Sequence, residues 1–148
     1  RGCALTKLTP KERALETGLA MVREDAAFRN LGATLETIDC GSARVRLKIN
    51  QSHTNGHGYC HGGIIFTLAD ATFGFACNSY NIKAVAQNCN ITYLFPVLES
   101  EVLVSEAREI KKFGRSAIYD VSIMNQKKEL VAVFRGHSRE IGGNIFQE

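Results

Sequence analysis

The chain has 148 residues, 45% of them hydrophobic and 22% charged, with a formal net charge of +3. That length suits a single domain, residues 1–148, able to bury a core without metal or disulfide staples. The charge is too small to argue for a nucleic-acid partner, and the lack of any run of about 18 apolar residues argues against a membrane span.

The opening RGCALTKL has neither an initiator Met nor a secretory apolar stretch, so residues 1–8 are expected to be disordered or tag-derived. A helix start signal follows in LTPKERALETGLAMVRED: Thr9 can cap, Pro10 takes the first helical position, and Glu12 completes the capping-box spacing. Leu15, Leu19 and Val22 then make one apolar stripe, and AAFRNLG adds a short turn ended by Gly32. From Thr34 the period changes to two. Ala43, Val45, Leu47 and Ile49 alternate with Arg44, Arg46 and Lys48, a half-buried strand whose hairpin partner is TLETID.

Residues 50 to 61 read as loop. From Gly62 or Gly63 to about Ser79 the chain is apolar on nearly every side and too long for a strand, which predicts a helix that something must enclose. Four β-rich segments follow, AVAQNCNITYLF, EVLVSEAREIKKF, RSAIYDVSIMN and ELVAVFRGHSREI, separated by turn signals at Pro96 to Ser100, Gly114, and Asn125 to Lys128. The expected fold is α+β, an antiparallel sheet curled around one long central helix, with a further helix at the N-terminus. Five cysteines (Cys3, Cys40, Cys60, Cys77, Cys89) show no C-x-x-C pairing. The apolar settings of Cys77 and Cys89 read as small buried hydrophobes, hence reduced thiols in a cytoplasmic compartment.

The segment HTNGHGYCHGGIIFTLAD concentrates the chemistry, with three of the four histidines inside nine residues. His53, His57 and His61 would line one face of a helix with Cys60 near, as zinc ligands do, but four interleaved glycines make a helix there improbable. Neither phosphate-binding glycine pattern is present. The third reading uses the helix itself. A Gly-Gly pair at a helix start offers bare backbone N–H groups and partial positive charge to a substrate carbonyl. Asp70, the lone ionisable group on the apolar helix, is then the candidate base or nucleophile; a structural cap or ion pair is the plainer alternative. Gly62 and Asp70 stand eight residues apart, roughly 12 Å along a helix. One carbonyl cannot meet both within one chain, so joint action requires a second copy, with its helix antiparallel, in a homodimer with two shared sites.

These residues resemble the active-site segment of hotdog-fold acyl-CoA thioesterases of the phenylacetate-degradation (PaaI) type. The likeness rests on the spacing N-x-x-x-x-x-H-G-G-x-x-x-x-x-x-D from Asn55 to Asp70 and extends through AVAQNCNITYLFPV, GRSAIYDVSIMNQ and VAVFRGHSREIGG, roughly residues 45 to 143. It implies the hotdog fold and hydrolysis of phenylacetyl-CoA or a hydroxylated relative without metal or cofactor. Gly62 would supply the oxyanion N–H, the partner's carboxylate at Asp70 the nucleophile or base, and Asn55 would position water or thioester. His61 would orient the loop or touch the carbonyl. Ala86 falls where some relatives carry an auxiliary serine, so that role is expected to be absent. For the CoA groove the resemblance points to Gly63, Lys111, Lys112, Gly114, Arg115, Ser116, His137 and Arg139, with Arg135 close by; a solvated surface is the alternative reading of these cations. Phe66, Phe73 and Tyr93 are candidates for the acyl pocket, against core packing. The family commonly pairs dimers into tetramers. Rival readings on the same fold are a hydratase or dehydratase using His61 with Asp70, and a non-catalytic acyl-CoA-binding module.

Overall fold

The computed structural model describes residues 6–148, so the expectation for residues 1–5 as part of a disordered or tag-derived start lies outside the described residues. Helix α1 (Pro10–Glu24) begins where the capping signal places it, with Thr9 Oγ1 accepting the Glu12 N–H at 3.2 Å. Its buried face is not the leucine stripe. Ala14, Thr17, Gly18 and Ala20 are buried, whereas Leu15 and Leu19 are 49% and 44% exposed. Small residues take that face because the helix lies close on the first strand: a Cβ added to Gly18 would come within 2.9 Å of Leu35 Cδ2. Leucines there would hold the helix farther out. Helix α2 (Ala26–Leu31) ends at Gly32, whose φ of 86° suits glycine.

The alternating segment and its partner form an antiparallel hairpin, β1 (Thr34–Asp39) and β2 (Ser42–Lys48). Ala43, Val45 and Leu47 are buried and Arg44, Arg46 and Lys48 exposed, as the period of two requires. The apolar run becomes α3 (Gly62–Asn78), and the four segments after it become β3 (Ala84–Tyr93), β4 (Val102–Phe113), β5 (Ser116–Met124) and β6 (Leu130–Glu140). One antiparallel sheet holds them in the order β1-β2-β4-β5-β6-β3. Strand β3 therefore lies at the far edge beside β6, not beside its sequence neighbour β4. The link from Leu94 to Glu101 makes the crossing, held by Leu94 N–H to Val131 O, Cys60 N–H to Val97 O and Ser100 N–H to Ile49 O.

Helix α3 touches every strand, which is how so apolar a helix is accommodated. Its Phe73 is 1% exposed and meets the rings of Tyr119 and Phe134 with centroids 5.6 and 5.8 Å away. Gly136 of β6 makes that packing possible, since a Cβ there would lie 2.7 Å from Phe73 Cε2. Gly136→Ala is therefore expected to cost about 1–3 kcal/mol of stability, measured by denaturant unfolding; an unchanged midpoint would contradict this reading of the core. One stripe of α3 remains uncovered by its own sheet. Gly63 and Thr67 are exposed, and Asp70, Ala71 and Gly74 only half-buried. Their spacing places them along one helix face.

Candidate active site

The glycine-rich loop is built by side chain–backbone bonds. Asn50 and His53 cap a short 3-10 turn, Gln51–His53, reciprocally: Asn50 Oδ1 accepts the Ser52 N–H at 2.9 Å, and His53 Nδ1 accepts the Asn50 N–H at 3.0 Å. His53 Nε2 lies 2.9 Å from the Leu31 carbonyl, and the side chain is buried. His53 is thus a fixed strut, and its own carbonyl accepts the His61 N–H at 2.8 Å. Asn55 shapes the next turn, its Oδ1 accepting the N–H groups of His57 and Tyr59 at 2.9 and 3.2 Å. Its Nδ2 has no partner among the described residues and remains a donor for a ligand.

His61 caps α3. Its Nδ1 accepts the Gly63 N–H at 3.0 Å, and its carbonyl accepts from Ile64 and Ile65 at 2.9 and 3.3 Å. With the His61 N–H bonded to the His53 carbonyl, three of the four N–H groups that a helix start leaves open, those of His61, Gly63 and Ile64, are used. The fourth, on Gly62, has no acceptor among the described residues. Tyr93 of β3 stands over this point, donating its hydroxyl to the Gly62 carbonyl at 2.8 Å, and Gly62 is bare enough to allow it. Tyr93 is therefore at the helix start. There, with Tyr59, Cys60, Gly62, Ile65 and residues 94–97, it borders an open depression of about 360 Å³. The other two aromatic candidates lie deeper: Phe73 is core, and Phe66 is half-buried with its ring edge-to-face on Phe134 at 5.5 Å.

Asp70 makes no side-chain hydrogen bond or ion pair among the described residues. Burial raises its carboxyl above the ordinary 3.8, and the charge of Asp25 adds to the effect. That places it closer to neutrality, where a general base works best. Its charge also reaches Cys77, pushed up to about 12 chiefly by burial, and Cys89, raised mainly for the same reason. Burial likewise lifts Cys60 to about 11, so none of the three is a thiolate nucleophile at neutral pH. Cys77 is buried as expected, while Cys89 is only partly so.

Zinc finds no ligand set among the described residues. Both ring nitrogens of His53 and Nδ1 of His61 are spent on the backbone, and among the described residues no three His, Cys, Asp or Glu side chains converge. The basic candidates sort by sheet face. Lys111 and His137 share a row through Ile118, and Ser116 pairs with Arg139, on the side of the sheet away from α3. Arg115 stands at the tight turn with Gly114, whose φ is 59°. Lys112 is engaged, bonded to Glu140 at 2.9 Å and lying over the Tyr80 ring at 4.1 Å. Arg135 is held by Asp120 through two bonds of 2.7 and 2.9 Å. Gly63 offers close approach but not a free donor, and Ala86 stands opposite Ser138 on the sheet edge.

Sequence reasoning did not find the Tyr93 hydroxyl contact or the structural role of His53. Tyr93 becomes adjacent to Gly62 through the β3 crossing, which no local pattern encodes. The Asn50-x-x-His53 spacing, in contrast, carried a readable capping signal.

A long helix enclosed by a six-stranded antiparallel sheet, with an N-terminal donor and a carboxylate left unpaired among the described residues, defines a hotdog-fold protein. Residues 57–132 match the family model described as Thioesterase superfamily. Acyl-coenzyme A thioesterase PaaI of Escherichia coli is 38% identical over 136 residues, covering 92% of this chain and 97% of that protein. The chain belongs to the thioesterase superfamily. The structure of the E. coli PaaI protein from the phenylacetic acid degradation operon is similar with a TM-score of 0.90 at 37% identity, over 92% of this chain and 99% of that one. A hypothetical thioesterase from Streptococcus pneumoniae, solved with coenzyme A, is similar with a TM-score of 0.73 at 26% identity, over 76% and 90%. Among the described residues no helix is long and apolar enough to cross a membrane.

Proposed function

We propose that the chain is an acyl-CoA thioesterase whose working unit is a two-fold dimer, and that its substrate is phenylacetyl-CoA or a ring-hydroxylated phenylacetyl-CoA. The observation that carries this reading is the unpaired Gly62 N–H on the same helix as the unpaired Asp70 carboxylate. The thioester carbonyl accepts the Gly62 N–H, with the helix dipole behind it. Asp70 of the second copy attacks the carbonyl or takes a proton from the attacking water. The tetrahedral oxyanion rests on Gly62, and its collapse breaks the C–S bond and releases CoA as thiolate. The acid is free at once on the water route, or after water hydrolyses the acyl–Asp70 anhydride on the nucleophilic route.

Two features support sharing between copies. The eight-residue separation on α3 puts Gly62 and Asp70 roughly 12 Å apart, too far for one carbonyl. The uncovered stripe Gly63, Thr67, Asp70, Ala71 and Gly74 is small enough for a second α3 to approach closely and antiparallel. That arrangement also explains the basic hairpin. The β4–β5 turn lies by the C-terminal end of its own α3, where Lys112 covers Tyr80, and so near the Gly62 end of the antiparallel partner helix. Arg115, at the turn itself, is the nearest of the proposed CoA-phosphate ligands to that end. Lys111, Ser116, His137 and Arg139, on the sheet face away from α3, would meet CoA only beyond the turn, with Gly63 and Gly114 giving close approach. Lys112 contributes by holding the turn through Glu140.

A dehydratase fits less well, because His61 accepts at Nδ1 and so carries its proton on Nε2, which cannot then act as a base. The substrate is supported by the E. coli relative, named an acyl-coenzyme A thioesterase and solved as a protein of the phenylacetic acid degradation operon. Pairing of dimers into a tetramer and a cytoplasmic location belong to the same proposal. The test follows free thiol release from phenylacetyl-CoA, hydroxyphenylacetyl-CoA, straight-chain acyl-CoAs and an enoyl-CoA. Rates highest on the phenylacetyl type are expected. A flat profile would remove the aromatic assignment, and no thiol release from any would remove the enzyme.

A further inference from the structure

We infer that Tyr93 is a positioning residue for His61, acting through the single peptide group between Gly62 and Gly63. The Tyr93 hydroxyl donates to the oxygen of that peptide group at 2.8 Å, and its N–H donates to His61 Nδ1 at 3.0 Å. A hydrogen bond accepted at an amide oxygen polarises the amide and makes its N–H a stronger donor. The two contacts are therefore one chain, Tyr93 O–H to Gly62 O, then Gly63 N–H to His61 Nδ1. Its consequence falls on the imidazole. Nδ1 is held as an acceptor, which leaves Nε2 as the ring nitrogen that carries the hydrogen.

His61 is exposed and caps the helix whose Gly62 N–H has no acceptor among the described residues, so its Nε2–H is left open as a second donor at the helix start. With its tautomer fixed, it needs no reorganisation when charge develops on a carbonyl oxygen nearby. The hydroxyl of Tyr93 does not touch the reacting atoms in this scheme; it sets the state of the group that does. The same hydroxyl costs little to remove, since it is exposed at the strand end and the ring can stay in place over Gly62.

This inference rests on the thioesterase reading of the site, and its test separates the two because the tautomer is observed without substrate. In 15N-labelled protein, the His61 ring of the wild type is expected to show an unprotonated Nδ1 and a protonated Nε2. In Tyr93→Phe the pattern should move toward a mixture of the two tautomers. Protonation at Nδ1 in the wild type, or an unchanged pattern in Tyr93→Phe, would overturn the inference while leaving Asp70 and Gly62 untouched. With phenylacetyl-CoA, Tyr93→Phe should lower kcat about 5-fold with KM nearly constant, the effect of one modest hydrogen bond. Introduced into His61→Ala, the same change should have no further effect on kcat. An equal loss in both backgrounds would mean that Tyr93 acts independently of His61.

Discussion

Asp70→Asn is expected to lower kcat by about 100- to 10,000-fold while leaving the protein folded and able to bind an acyl-CoA. The amide keeps the shape of the side chain but can neither accept a proton nor attack. The variant should also be the more thermostable one at neutral pH. Burial raises the folded carboxyl above its ordinary value of 3.8, so the wild type carries a desolvation penalty that appears as pH rises through the folded value. Below 3.8 the carboxyl is neutral in both states, and the gap between variant and wild type should close. Thermal melts from pH 3 to pH 8, alongside thiol release at neutral pH, check both halves. A variant that is inactive and less stable at neutral pH would mean that Asp70 has a structural partner.

The second large effect concerns the Gly62 N–H. Gly62→Pro deletes that donor at the first helical position, where proline is otherwise well tolerated. Loss of one oxyanion donor is expected to reduce kcat by about 100- to 1,000-fold. Added bulk is a separate matter, because a Cβ at Gly62 would sit 3.2 Å from Tyr93 Cζ. Gly62→Ala keeps the N–H and adds only that crowding, so it isolates the steric part. If the alanine variant loses as much kcat as the proline variant, crowding and not the donor explains the defect.

Much of the architecture was legible in the sequence. The alternation of Ala43, Val45 and Leu47 with Arg44, Arg46 and Lys48 gave the hairpin its faces, and the unbroken apolar run after His61 demanded an enclosed helix. The Gly62–Asp70 spacing by itself sets a separation too long for one carbonyl to meet both. Three things were hidden. Gly18 gives α1 its buried face by closeness to Leu35 and Ile38, a tertiary fit that hydrophobicity counts misread as a leucine stripe. The placement of β3 beside β6 depends on the whole sheet closing round α3, since each strand taken alone is compatible with either neighbour. Lys112 and Arg135 resemble the other basic residues in sequence, but Glu140 and Asp120 occupy them through cross-strand contacts that only the register fixes.

The most direct test of the shared site uses two dead chains. Differently tagged Asp70→Asn and Gly62→Pro chains are unfolded together, refolded, and the mixed dimer purified. One of its two carbonyl sites then pairs an intact Gly62 with an intact Asp70 from the other chain, and kcat per dimer should return to about half that of the wild type. A mixed dimer as inactive as either parent would contradict the account.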